Sequence, residues 1–141
     1  MTLSTHVTLA VFIAAIALSG CATKDVFNPR SQYPTDPWVK GYSNPDDCLG
    51  GEKLAAKRLE LPDYPRRAFN SGRQGWVIMR LDVSESGATE NVEVERSVPE
   101  GLFESASRQA VKNWSFRPPT DGALRNCRVL LRYRSGLVAL G

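Results

Sequence analysis

The chain has 141 residues, with 18 basic and 15 acidic side chains, and its formal net charge of +3 is too small to argue for nucleic-acid binding. Its one histidine, His6, lies in the N-terminal leader. A Ser-His-Asp triad, a Cys-His pair and a histidine-based zinc site are therefore excluded from the rest of the chain. Without a nucleophile–base spacing, a phosphate-binding loop or a cluster of metal ligands, we expect no enzyme, no cofactor and no metal.

The first residues are typical of a secretory signal. Residues 7–18 are almost wholly apolar, but about 12 residues fall short of the ~20 that cross a bilayer. The run ends in Leu18-Ser19-Gly20-Cys21, which resembles a bacterial lipobox. That resemblance implies a signal peptide over residues 1–20 and acylation of Cys21. The alternative is an uncleaved anchor, because the residues before this run include no Lys or Arg.

The position of a lipidated cysteine also predicts a location. The resemblance implies a protein that is lipid-anchored to the envelope of a Gram-negative bacterium and faces the periplasm. Ala22 follows Cys21 and favours the outer membrane over the inner one. In that oxidising compartment, Cys48 and Cys127 are most simply one disulfide, and two buried free thiols are the alternative.

Residues 21–49 predict a tether between the membrane and a domain over residues 50–141. Pro, Asn, Asp and Ser are frequent in this segment and no apolar period appears, so we expect no regular structure. Its aromatic residues either pack on the domain or are exposed: Phe27, Tyr33, Trp38 and Tyr42.

The rest of the chain predicts an α+β domain. The elements, in chain order, are a short helix over 50–61, a helix stub over 66–71, strands over 77–83 and 92–97, a helix over 101–114 stopped by Pro118, and a strand over 127–134. The core order α-β-β-α-β gives a three-stranded antiparallel sheet packed with two helices. We expect one apolar and one polar sheet face, because apolar residues alternate with polar ones.

Several residues stand at spacings that together are specific. A Tyr-Pro pair opens the helix stub, two glycines precede the strand, and Trp-x-Phe-x-Pro follows the second helix: Tyr64, Pro65, Ala68, Gly72, Gly75, Trp114, Phe116 and Pro118. In this order, residues 64–134 resemble the TonB C-terminal domain family. We interpret Trp114 and Phe116 as core residues, with ligand stacking as the alternative.

The resemblance implies a binding function. In that family the last strand of the domain pairs with a peptide of a TonB-dependent outer-membrane transporter and so supports transport. The equivalent edge strand here comprises Arg128, Val129, Leu130, Leu131, Arg132, Tyr133 and Arg134. Other envelope proteins and a homodimer are further candidate partners. The alternative function is a structural envelope module that contacts peptidoglycan or an assembly complex without energy transduction.

The arginines fall in small groups, of which Arg66, Arg67 and Arg73 form the first. Such a group is either a solvated face or a surface that meets an acidic partner or membrane headgroups.

Overall fold

The structure is a computed structural model and describes residues 25–37, Cys48 and residues 54–141. The predicted signal peptide and Cys21 lie outside the described residues, as do Trp38 and Tyr42. The described part contains β1 Ala56–Arg58, α1 Arg66–Asn70, β2 Gly75–Val83, β3 Thr89–Val98, α2 Glu104–Val111, β4 Ser115–Phe116, β5 Leu124–Arg134 and β6 Leu137–Leu140.

The main sheet is antiparallel and has four strands in the order β3-β2-β5-β6. The α+β class is confirmed, and α1, β2, β3, α2 and β5 follow the predicted order. The predicted count of three strands is wrong, because the chain turns back after β5 and adds β6 to the sheet. The strand β5 therefore lies inside the sheet, between β2 and β6.

Residues 56–58 form a strand where we predicted a helix over 50–61. The strand β1 pairs with β4 in a separate two-stranded sheet. The helical spacing of Leu54, Arg58 and Leu61 was misleading, because Arg58 pairs with Glu60 in solvent and Leu61 is exposed. Two of these three residues are exposed, so a helix here would bury too little apolar surface to offset the free-energy cost of nucleating it.

The second helix is shorter than predicted and does not end at Pro118. It begins at Glu104, whose carboxylate accepts hydrogen bonds from the Gly101 and Phe103 N–H groups and from the Ser97 hydroxyl. Acceptors placed at the first turn satisfy N–H groups that the helix leaves unpaired. The helix ends at Val111, and the prolines follow only after β4.

The core lies between α2 and one face of the sheet. Val77, Met79, Leu81 and Val83 alternate along β2 and are fully buried. Trp114 and Phe116 are each 3 % exposed, and the Trp114 indole N–H donates to the Glu60 carbonyl at 2.7 Å. Their burial agrees with the interpretation of both side chains as core residues.

Tyr64 lies at the centre of an aromatic cluster, which gives the Tyr-Pro pair its structural role. Four rings pack edge-on around it at centroid distances of 5.4 to 6.0 Å: Phe27, Phe69, Phe103 and Tyr133. The Tyr64 hydroxyl donates to the Arg73 carbonyl at 2.6 Å, and burial raises the pKa of Tyr64 to about 12. The cluster holds α1 onto the core.

The opposite sheet face is apolar at its centre, which we did not predict. Trp76, Ile78 and Leu130 are buried there, at 1 to 6 % exposure. They are covered by residues 25–37, here named the N-terminal strap, which has no helix or strand but packs Tyr33 against them. This part of the predicted tether therefore lies on the domain.

The disulfide joins Cys48 to Cys127 in β5, 79 positions later in the chain. Cross-linking residues so far apart in sequence stabilises a fold by about 4 kcal/mol, because it restricts the unfolded chain. Cys127 is fully buried.

We expect a coupled effect of the buried hydroxyl pair Ser107 and Tyr133, whose oxygens lie 2.7 Å apart. Either Ser107→Ala or Tyr133→Phe alone leaves one buried hydroxyl without its partner and should lower the free energy of unfolding by about 1–3 kcal/mol. The double variant removes both polar groups and should cost less than the sum of the two. Urea unfolding of all four proteins measures this, and strict additivity would contradict the coupling.

Candidate functional site: the outer edge of the sheet

Most of the residues predicted to form a binding edge do not lie at an edge. Leu131 to Arg134 in β5 pair with β6, from Leu131 opposite Leu140 to Arg134 opposite Leu137. On its other flank β5 pairs with β2 along most of its length. The prediction of an open edge is therefore wrong for residues 131–134, because β6 covers them, whereas Arg128 and Val129 lie beyond the end of β6.

A two-residue turn produces the new edge. Ser135 and Gly136 have φ values of 53° and 78°, and two positive φ values are what a tight type I′ hairpin turn requires. The sequence contained this signal, since a Ser-Gly pair separates β5 from a short apolar run. A side chain at Gly136 would also meet the Phe27 side chain, 2.8 Å from the added Cβ.

The hydrogen-bond register decides which backbone groups of β6 are exposed to pairing. The Gly141 N–H donates to the Leu130 carbonyl at 2.9 Å. Because bonded pairs alternate in an antiparallel ladder, Ala139 and Leu137 also direct their backbone groups to β5. The N–H and C=O groups of Val138 and Leu140 consequently point away from β5. The Leu140 carbonyl accepts a long hydrogen bond, of 3.5 Å, from the Arg132 guanidinium, which an added strand would replace.

An apolar hollow adjoins this edge. It has a volume of about 140 Å³ and contains Leu140 of β6 on one side and Val129 of β5 beneath. Its other lining residues come from the segment around β1 and from β4 with the residue before it: Leu54, Ala56, Leu59, Trp114 and Phe116. The hollow is large enough for one aliphatic side chain.

The opposite edge, β3, is less suited to pairing. Its register with β2 shifts twice, and such bulges twist an edge away from regular pairing. It also exposes Glu90, Glu93 and Glu95, whereas β6 contains only Leu, Val and Ala. The outer edge of β6 is therefore the better candidate site.

The arginines of β5 are held by other parts of the same chain. Arg132 pairs with Asp36 of the strap at 3.0 Å, and Arg128 pairs with Glu95 at 2.7 Å. Arg134 lies over the Tyr33 ring, 5.4 Å from its centroid. These three arginines therefore already interact with side chains of the same chain.

The strap is joined to β5 by a polar contact whose charge state depends on pH. Partial burial raises the pKa of Asp36, but hydrogen bonds from Arg132 and Tyr33 outweigh it and leave that pKa lowered. Burial, together with the hydrogen bond to Asp36, raises the pKa of Tyr33. At neutral pH the ionised Asp36 carboxylate thus lies between the protonated phenol of Tyr33 and the guanidinium of Arg132.

The described residues contain no group of three or more His, Cys, Asp or Glu side chains that could hold a metal ion. Within the same residues, no helix has the length and apolarity needed to cross a membrane. The Asp82 carboxylate accepts hydrogen bonds from the Asn91 side chain, the Asn126 N–H and Arg125.

A family model of the Gram-negative bacterial TonB protein C-terminal matches residues 60–134, which is more than half of the chain. The chain belongs to this family. The match confirms the family that the motif residues predicted, and it covers the elements from α1 to β5. The strand β6 lies beyond the matched residues.

Individual relatives agree with this family. Protein TonB of Pseudomonas aeruginosa is 31 % identical over 78 residues, which are 55 % of this chain and 23 % of that protein. Protein TonB of Xanthomonas campestris is 36 % identical over 67 residues, or 48 % of this chain and 30 % of that protein. The chain thus spans less than a third of the length of these curated relatives.

A solved structure agrees as well. The solution NMR structure of the Pseudomonas aeruginosa TonB C-terminal domain superposes with a TM-score of 0.50 at 27 % identity. The match covers 57 % of this chain and 85 % of the solved one. The TonB-like fold is therefore present here, with the strap and β6 described above.

We expect the Asp36 contact to add stability that is lost in acid. Because the pKa of Asp36 is lowered by folding, its contribution is present at pH 7 and disappears as the pH falls below about 4. Asp36→Asn should therefore lower the free energy of unfolding by about 0.5–1 kcal/mol at pH 7, the scale of exposed ion pairs. The difference between the two proteins in chemical unfolding should shrink as the pH falls below about 4, and a constant difference from pH 7 into acid would contradict the assignment.

Proposed function

We propose that this protein is a periplasm-facing lipoprotein whose TonB-like domain binds an extended peptide of an envelope partner by β-strand addition. Membership of the TonB C-terminal family supports a TonB-related role in the envelope or in transport. Within that role, the family resemblance suggests the N-terminal peptides of TonB-dependent outer-membrane transporters as the partner.

The observation that carries the proposal is the outward direction of the Val138 and Leu140 backbone groups. An open strand edge accepts a further strand because its N–H and C=O groups are not paired within the sheet. A peptide pairing with β6 would also direct alternate side chains toward the apolar hollow beside Leu140. Each new backbone hydrogen bond contributes about 0.5–1.5 kcal/mol, so a short peptide would bind modestly.

The lipid anchor is part of the same proposal. The sequence before Cys21 supports it, through an apolar run that ends in a lipobox-like tetrapeptide. Acyl chains on Cys21 would hold the protein in a membrane far more firmly than a single chain does. The outer membrane, on its periplasmic side, would bring the domain next to transporters.

We expect Val138→Pro to weaken peptide binding about 3- to 10-fold. Proline removes the outward N–H of Val138 but no hydrogen bond to β5, because that N–H points away from the sheet. Titration with transporter N-terminal peptides, followed by calorimetry or fluorescence anisotropy, measures the change.

The matched control for this experiment is Val138→Ala. It removes most of the same apolar side chain, which packs on the core, but keeps the N–H. Full peptide binding by the alanine variant and loss by the proline variant support strand addition at β6. Equal binding by both variants excludes this edge, and absence of binding by the parent protein favours the structural envelope module.

The lipid anchor has its own test. We expect the mature protein from a bacterial membrane fraction to begin at Cys21 and to contain the added mass of acyl chains. Intact-mass spectrometry measures both features. Cys21→Ser should lose the added mass and leave the membrane fraction, whereas an unmodified, uncleaved N-terminus would contradict the anchor.

A further inference from the structure

We propose that three arginines at one end of the domain dock on the phosphate groups of an anionic lipid bilayer. This arginine patch comprises Arg30 of the strap, Arg67 of α1 and Arg73, which follows the helix. All three line one open hollow of about 470 Å³. The inference rests on the proposed lipid anchor for its orientation, but the surface itself has a separate test.

The backbone around the arginine patch is fixed by hydrogen bonds. The Arg30 N–H donates to the Gly72 carbonyl at 2.8 Å, and the Arg73 N–H donates to the Ala68 carbonyl at 2.9 Å. Arg67 lies in α1, which the aromatic cluster around Tyr64 holds in place. Three positive groups are thus attached to a rigid frame, although they come from different segments.

The charge of the arginine patch is not neutralised inside the protein. Five other arginines form ion pairs with carboxylates: Arg58, Arg80, Arg125, Arg128 and Arg132. In the described part of the chain, Arg30, Arg67 and Arg73 form none, and all three are exposed. One carboxylate, that of Glu100, lines the same hollow. The hollow therefore retains a net positive charge.

The location of the arginine patch indicates a membrane as its occupant. A second open hollow, of about 370 Å³, is lined by Val26 and Arg30 and also by one carboxylate, that of Asp25. Because Arg30 lines both hollows, the arginine patch is continuous with the start of the strap. Val26 is 84 % exposed there, an apolar side chain beside the positive surface.

The strap begins only four residues after the predicted lipidation site. Four extended residues span at most about 14 Å, so acyl chains on Cys21 would keep Asp25 within that distance of the bilayer. Exposed charges attract one another mainly within the Debye length, about 8–10 Å at physiological salt, so the headgroups would act on the arginines when the linking residues are less than fully extended. The proposed anchor would thus bring the arginine patch to the headgroups.

Vesicle co-sedimentation tests the surface without the lipid. The protein used begins at residue 21 and contains Cys21→Ser, which preserves every described contact because these start at residue 25. We expect binding to vesicles of phosphatidylcholine with one-third phosphatidylglycerol in low salt, release in high salt, and little binding to pure phosphatidylcholine. Each arginine near an anionic surface strengthens binding about fivefold.

The decisive variant is Arg67→Gln with Arg73→Gln, which should weaken binding to the anionic vesicles about 20-fold. The control with the same net charge is Arg117→Gln with Arg125→Gln. Arg125 contacts Asp82 at the far end of β2, seven residues and roughly 23 Å of strand from Gly75. The control pair should change binding less than threefold, and circular dichroism of both variants checks that they fold.

Three results would overturn the docking surface. They are equal binding to neutral and anionic vesicles, equal loss in the two charge-matched variants, or preferential binding of a polyglutamate peptide, which would instead indicate an acidic protein partner. Because this assay uses no acyl chain, its failure leaves the lipid anchor standing. Absence of acyl mass on Cys21, in contrast, overturns the anchor alone.

Discussion

The fold depends on a close backbone crossing at Gly72. The carbonyl of this residue accepts the N–H groups of Arg30 and Ser31, at 2.8 and 3.2 Å, and so fixes the strap against the end of α1. A Cβ atom at Gly72 would lie 2.1 Å from the Asn28 carbonyl oxygen, and the φ of +62° also disfavours a side chain. Gly72 therefore both ends the helix and lets the backbone of the strap approach closely.

The strap covers apolar residues on the second face of the sheet, which no helix of the described chain covers. A helix covers one face of the sheet, whereas Trp76, Ile78 and Leu130 would be exposed on the other. Tyr33 packs over these residues, and the Trp76 indole N–H donates to the Thr35 carbonyl at 3.0 Å. A short domain that buries both faces gains apolar burial without a second helix. This arrangement also brings Asp36 of the strap within ion-pair distance of Arg132.

Elements with a strong hydrophobic period could be predicted from the sequence. Segments whose contacts follow no sequence period could not. The strand β2 and the turn at Gly72 followed from alternation and from glycine chemistry. The strap escaped prediction because backbone carbonyls make many of its contacts, and these leave no pattern of side chains. The candidate site was displaced by one strand, since Leu137–Leu140 is too short and too exposed to show a period.

The turn between β5 and β6 lies directly beside the start of the strap. A Cβ atom added at Gly136 would lie 2.8 Å from the Phe27 side chain and 2.9 Å from the Phe69 ring, so the turn packs closely against the start of the strap. Phe27 also packs edge-on against Tyr64 and Phe69, so this one side chain joins the start of the strap to α1 and to the turn before β6. A displacement of Phe27 would therefore reach the aromatic cluster and the outermost strand together.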